Sequence, residues 1–477
     1  MESLNGVNAI TIVFASLCIF AIAYRFYGLW VAQKVLNINA ARETPANRFE
    51  DGKDYVPTNK YVLFGHHFAA IAAAGPLLGP VLAAQFGYLP GLLWILIGCV
   101  LAGGVHDMVV LFCSVRHRGE VSGYIASQEI DTTTGRVAAW AVLAILLLTL
   151  AGLSIAVVNA MHNSLWSTYT VFCTIPIAIL MGLYMQVWRK GDVRGATIMG
   201  VVLLFLCILS GPWVASHPEY FGWLDIDKPE MSLIIRLRFP RFGSAGVAPA
   251  AAARLPLHLP EIGTIVGLAI GILIMRPTLT MPALTKFVDG TGPVWTGNLF
   301  PFLFITIACG AVSGFHALIS SGTTPKMLAN ESQACFIGYG GMLMESFVAI
   351  MALVAACIID PGVYFAMNSP MAVLAPAGTT DVVASAAQVV SGWGFSITPD
   401  TLHQIASEVG EQSIISRAGG APTLAVGMAY ILHGSLGGLM DVSFWYHFAI
   451  LFEALFILTA VDAGTARRAL CCRICWA

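Results

Sequence analysis

Long apolar runs separated by short polar connections make up most of this chain. The runs around Met181, Leu203 and Leu353 each hold about 20 residues with almost no charge, enough as helix to cross a hydrocarbon core about 30 Å thick. Amides inside lipid must be paired within their own segment, so these runs are expected to be helices and not open strands. In all, eleven candidate spans centre near Phe20, Val81, Leu101, Leu146, Ile177, Phe205, Ile270, Ile307, Ala352, Met428 and Phe456. The expected fold class is therefore all-α, a polytopic transmembrane bundle of about 11–12 spans. Two regions depart from the pattern. From Met231 to Pro260 the chain turns Arg-, Ala- and Pro-rich, with no acid from Ser232 onward. Between Asp360 and Ala421 lies a long polar segment whose Val382–Ile397 stretch is suited to re-entering the membrane or lying on it.

Composition agrees with the pattern. The 477 residues are 57% hydrophobic and 10% charged, whereas a soluble domain needs roughly 25% charge to keep its surface wet. A net charge of −2 gives no hint of nucleic-acid binding. Met1–Asn8 lacks a basic n-region, so the first run is expected to be a retained span and not a cleaved leader. The 11 cysteines are scattered, and Cys472 and Cys475 form a pair with no second pair to complete a structural zinc site. No metal and no cofactor are expected. Basic residues set the orientation. Lys34, Arg42, Arg48, Lys53 and Lys60 follow the first span, Arg116, Arg118 and Arg136 the third, and Arg189, Lys190 and Arg194 the fifth. The connection after the sixth is acidic, with Glu219, Asp225, Asp227 and Glu230. This alternation puts the N-terminus outside, in the periplasm if the membrane is a bacterial inner membrane.

Candidate chemistry lies where the spans are broken. Gly65-His66-His67-Phe68 leads into Ala72–Ala74, Gly75-Pro76 and Gly79-Pro80, and two Gly-Pro pairs four residues apart argue for a discontinuous helix. Unwound backbone at membrane depth is tolerated where it is protein-buried or lines a wet cavity, and transporters use such breaks to bind solute and ions. The reading that competes is a kinked packing helix with small residues for close approach. Gly103-Gly104-Val105-His106-Asp107 places a carboxylate in an apolar span, where it needs a partner or a cavity. Pairing with an arginine near the interface is the bland account, since Arg116 is close in sequence. Arg276-Pro277-Thr278-Leu279-Thr280-Met281-Pro282 also points to unwound backbone, with Arg276 able to grip a carboxylate or to snorkel. Ser313, His316 and Ser320 share one helix face, ahead of Ser321-Gly322-Thr323-Thr324-Pro325-Lys326. Glu345 sits inside an apolar span with no structural excuse. The candidate set for substrate or ion binding is thus His66, His67, Gly75, Pro76, His106, Asp107, Arg276, Thr278, Thr280, Ser313, His316, Ser320, Ser321, Thr323, Thr324 and Glu345.

These same motifs resemble the carbon starvation protein A family of bacterial and archaeal inner-membrane transporters. The resemblance covers roughly Gly28–Glu230 and Glu261–Gly464. It implies uptake of short peptides during carbon starvation, with some members importing pyruvate together with a proton. It also implies an inverted-repeat transporter fold with discontinuous helices. The chain departs from the family at 233–260, where Arg236, Arg238, Arg241 and Arg254 replace an apolar span, and after Thr465, where an Arg- and Cys-containing tail ends it. We therefore expect one transporter domain over 1–465, C-terminally truncated, with an aberrant 466–477 tail. Slips of the reading frame at 233–260 and near 465 are expected to leave this copy defective; the competing reading is a genuine extramembrane loop in a shorter family member. No phosphate loop of the GxxxxGK[ST] kind is present, so a gradient-driven importer is expected. Its partners are a peptide or pyruvate, protons and the lipid bilayer. A membrane sensor binding the same solute is the alternative, and an enzyme is not expected.

Overall fold

The computed structural model describes residues 6–224 and 251–457 apart from Ala73, Asn163, Lys190 and Gly191, with side chains left out at 251–262, Gln186 and Val193. The expected slips at 233–250 and the 466–477 tail lie outside the described residues, although the chain is already helical from Ala251. Among the described residues six helices are long and apolar enough to cross a membrane, or seven if one bent pair is counted as a single span. In chain order the elements used below are α1 (Ala9–Val35), α2 (Lys60–Ile71), α3 (Gly75–Ala83), α4 (Tyr88–Arg116), α5 (Ser122–Glu129), α6 (Thr132–Met161), α7 (Leu165–Leu183) and α8 (Val193–Ala215). They continue with α9 (Ala251–Met275), α10 (Leu299–Thr306), α11 (Gly314–Ser320), α12 (Glu331–Cys357), α13 (Pro361–Asn368), α14 (Val382–Gly392), α15 (Pro399–Glu408), α16 (Ala421–Ser435) and α17 (Val442–Ile457). Among the described residues the β structure is confined to isolated bridges. The chain is a multi-pass membrane protein of the all-α class.

Local chemistry starts these helices where the apolar runs begin. Asn8 caps α1 by accepting from the Ile10 amide at 2.9 Å, and Asp131 caps α6 through the amides of Thr133 and Thr134. Each cap satisfies an amide that the first helical turn leaves unpaired. The 30 residues of α6 extend about 45 Å, and only 22% of its most apolar 18-residue stretch is buried, as suits a helix facing lipid. By contrast α12 is 89% buried. It is the central post, packed against α2, α3, α4 and α16.

One end of the bundle gathers the basic connections. Arg116 Nε lies 2.5 Å from Glu331 Oε1, and the Asn39 amide donates to Glu331 Oε2 at 3.2 Å. The Val56 and Thr58 amides donate to the carbonyls of Lys326 and Met327. At the other end the segment Arg276–Pro282 is extended. Its Pro277 carbonyl accepts from the Ala9 amide, and its Thr280 and Met281 amides donate to Cys357 at the end of α12.

Two expectations need correction. The break in the Gly-Pro span lies upstream of the Gly-Pro pairs. It falls between Ile71 and Gly75, and α2 and the Gly75–Phe86 helix stand at 48° to one another. Gly75–Ala83 is itself helical, because Pro76 occupies the first turn, where its missing N–H costs nothing. Secondly, Ile307 is no span centre. It caps α10, and residues 307–313 run unwound between α10 and α11. The Val382–Ile397 stretch contains the short helix α14, which packs against α13 and α15.

The unwound segment is held by close contacts and by its own carbonyls. Trp94 Nε1 donates to the Ile307 carbonyl at 2.9 Å, and Ser346 Oγ to the Gly310 carbonyl at 2.8 Å. Bare backbone is needed where it is crossed. A Cβ at Gly75 would overlap the Cβ of Cys309, and one at Gly103 would overlap the Ala311 carbonyl. Gly75→Ala should therefore lower stability in detergent by about 1–3 kcal/mol, the usual cost of overpacking. Cys309→Gly added to it should recover at least half. A thermal unfolding temperature unchanged by the single substitution, or unimproved by the second, would count against this packing.

Candidate functional site

Three of the crossing elements carry ionisable side chains to the unwound segment. On α4, Asp107 is fully buried and is not paired with Arg116, which belongs to Glu331. The His106 and His316 rings hold it instead. His106 Nδ1 donates to Asp107 Oδ1 at 2.9 Å, and His316 Nδ1 donates to Oδ2 at 2.8 Å. His316 projects from α11, just after the unwound stretch, and is itself 0% exposed. Its second nitrogen, Nε2, lies 2.9 Å from Glu345 Oε2 on α12 and 3.7 Å from Cys309 Sγ. Both Glu345 oxygens are buried without an aligned hydrogen-bond partner. The result is one continuous chain, His106–Asp107–His316–Glu345, whose His106 end is 32% exposed and whose other members are sealed.

Magnitudes decide why this arrangement exists. A lone carboxylate at a helix centre costs about 2.5–3.5 kcal/mol on insertion scales. A hydrogen bond to a charged group returns about 1.5–3 kcal/mol, so the two imidazoles offset the burial of Asp107. Glu345 has only the far side of the same ring. With Asp107 fixing Nδ1–H, the Nε2 atom either donates to an ionised Glu345 or accepts from a protonated one. A small rotation of either side chain would align Nε2 with Oε2, 2.9 Å away, so that one proton can pass between His316 and Glu345.

Cys309 Sγ, a His316 nitrogen and a Glu345 oxygen lie within 4.8 Å of one another, a donor set that invites a metal reading. The spacing disfavours it. Two N and O donors at tetrahedral zinc distances sit about 3.3 Å apart, and Nε2 and Oε2 are 2.9 Å apart. That is the separation of a shared proton.

The structure gathers His106, Asp107, Ser313, His316 and Glu345, with Gly75 and Pro76 forming the adjoining wall; Ser313 Oγ is 3.6 Å from Cys309 Sγ. A second group forms beside it. His67 Nδ1 lies 2.9 Å from Thr324 Oγ1, and Ser122 Oγ donates to Ser321 Oγ at 3.1 Å. Ser320 is buried near them on α11, while His66 and Thr323 are half-buried. Arg276, Thr278 and Thr280 do not join either group. Arg276 is exposed with φ 51°, and Thr280 Oγ1 donates at 2.5 Å to the Ile359 carbonyl past the end of α12. These three residues belong to the non-helical connection that hydrogen-bonds to the start of α1 and the end of α12.

Sequence reasoning missed Cys309, Glu331 and Glu453. Cys309 reads as a small hydrophobe and Glu331 as a loop acid, yet Glu331 is 0% exposed. Glu453 carried the same signal as Glu345, an acid inside an apolar run.

Comparisons with known proteins bear on this site. The chain matches the family described as carbon starvation protein CstA over residues 8–472. It is 68% identical over 464 residues to the peptide transporter CstA of Escherichia coli K12, covering 96% of this chain and 66% of the relative. It is 52% identical to the pyruvate/proton symporter BtsT of the same organism, covering 96% of this chain and 66% of that one. A peptide transporter CstA of Campylobacter jejuni is 53% identical, with 98% and 66% covered. The chain therefore spans just under two thirds of the length of these relatives. No solved structure matches it. A match over nearly the whole of this chain and identities of this size leave one assignment: the chain belongs to the carbon starvation protein CstA family.

Proposed function

We propose that the chain imports short peptides or a small carboxylate such as pyruvate across the bacterial inner membrane, driven by protons. The single observation that carries this reading is the buried His106–Asp107–His316–Glu345 chain beside an unwound helix. An ion path across a bundle needs ionisable groups out of the lipid, on backbone free of helical constraint. The relatives named as a peptide transporter and as a pyruvate/proton symporter support the solute class and the coupling ion. The alternation of basic and acidic connections supports an outward N-terminus. In this reading His316 carries the coupling proton, Asp107 positions the ring, and Glu345 exchanges the proton with it as the surrounding helices move. Ser346 and Trp94 hold the unwound carbonyls so that the ring stays between its two acids.

Uptake of a labelled dipeptide and of pyruvate into proteoliposomes, with and without an inward proton gradient, tests the reading. Because the chain departs from its family's pattern at 233–260, binding is measured alongside uptake. Gradient-dependent uptake or, at the least, proton uptake on binding is expected. Neither solute binding nor moving would overturn the reading.

His316→Ala and Asp107→Asn should each lower proton-linked uptake at least about 10-fold, the loss of one charged hydrogen bond, at unchanged membrane insertion. Wild-type rates for both would eliminate the relay. Glu345→Gln keeps shape but cannot ionise, so it should flatten the dependence of uptake on pH across the range where histidine changes charge. Its substrate KM at low pH should stay near that of the wild type. A retained pH profile would show that the proton travels elsewhere.

A further inference from the structure

A second buried ionisable group lies apart from the proton chain. Its centre is Arg417, in the non-helical 409–420 connection between α15 and α16. Ser416, Gly419 and Gly420 there take left-handed backbone, at φ 53°, 109° and 85°. A guanidinium on such a connection ordinarily reaches water, yet this side chain is 4% exposed. Distant parts of the chain close over it. Nη2 donates to the His162 carbonyl, after α6, at 2.8 Å, and Nη1 to the Tyr446 hydroxyl on α17 at 3.1 Å. Glu411 Oε1 lies 3.0 Å from Nη1, close but not in hydrogen-bond alignment. His447 Nε2 stands 3.4 Å from the same oxygen, its ring stacked on Trp166 of α7 at 3.7 Å. Further along α17, on the face of Tyr446, Glu453 is 1% exposed and neither of its oxygens has a hydrogen-bond partner.

Stability alone does not explain this group. Burying two ions costs several kcal/mol each, and an apolar pair of the same volume would hold the connection as well. Arginine is also the side chain whose planar fork matches a carboxylate. Its backbone is not locked into a helix. The connection rests on α3, where a Cβ at Gly420 would press on Leu82 and the Leu78 carbonyl. At the other end of that helix Gly75 meets Cys309 of the proton site. The two polar groups are thus joined by one short helix about 12 Å long.

From this geometry we propose that Arg417 anchors the carboxylate of the transported solute, and that Glu411 is a resident carboxylate which the solute displaces. The proposal rests on the reading of the chain as a transporter of peptides or small carboxylates, whose shared chemistry is a carboxylate. Tyr446 and the His162 carbonyl orient the guanidinium, and α3 links its occupancy to the unwound segment.

Calorimetric titration of the purified full chain tests this, with pyruvate and Ala-Ala as probes against pyruvamide and Ala-Ala-amide. Wild type should bind the acids at least about 10-fold more tightly than the amides, the worth of a charge-assisted pair. Arg417→Gln alone strands the Glu411 charge and risks misfolding, so Arg417→Gln with Glu411→Gln is measured with it. The double variant keeps the charge balance and should lose that preference. Glu411→Gln alone removes the competitor and should tighten acid binding about 3-fold or more. A plain structural ion pair gives the opposite result, loss in both. Acid binding at wild-type strength in a folded Arg417 variant, weakened binding in Glu411→Gln, or equal binding of acids and amides would each overturn the anchor. A wild type that binds neither probe overturns the transport reading and the anchor with it.

Discussion

A histidine ring held between two carboxylates inside an apolar bundle governs what surrounds it. Coulomb attraction at a low effective dielectric makes the Asp107–His316–Glu345 contacts strong only while water and lipid stay out. Exclusion demands backbone-to-backbone packing, and backbone packing demands missing side chains. That is why Gly75 and Gly103 stand where the unwound segment passes α3 and α4. The same demand explains why α12 has almost no lipid-facing surface: it carries both Glu345 and the Ser346 hydroxyl that steadies the Gly310 carbonyl. Polar chemistry at the centre has dictated the small residues, the break and the burial together.

Seen this way α3 is a lever and not merely half of a bent span. Its first residue abuts Cys309, and its later turns carry the connection bearing Arg417. A rigid short helix cannot shift at one end without moving the other, because packed interiors accommodate displacement by stepping between arrangements. A charge arriving at either polar group therefore acts on the same element. That is the physical minimum for coupling a proton to a solute.

Much of this was legible from residues alone, and what was not has specific causes. Apolar runs of helical length identified α1, α4, α6, α7, α8 and α12, since lipid imposes length and composition together. Asp107, His316 and Glu345 stood out individually because charge in an apolar run is expensive, but no spacing rule brings together residues more than 200 positions apart. The Gly-Pro pairs signalled a break and misplaced it, because proline starts a helix as readily as it ends one. Ile307 looked like a span centre, since hydropathy cannot tell a lipid-facing helix from unwound backbone buried by neighbours. Arg276 looked like a ligand for the same reason in reverse: Pro and Thr mark extended backbone but not its depth. Arg417 sat in a stretch polar enough to pass for surface, and only the fold folds it inward.

The sequence separation within the central contact has a consequence for how the protein is made. Asp107 and His316 are 209 positions apart. At roughly 5–20 residues per second of synthesis, their pairing waits on the order of 10–40 s. Throughout that interval α4 stands in the bilayer with its carboxylate answered only by His106, and the later-emerging α11 and α12 must enter a space already ringed by earlier helices. The nascent chain is thus a vessel with an open seam, which stays open until α11 and α12 arrive.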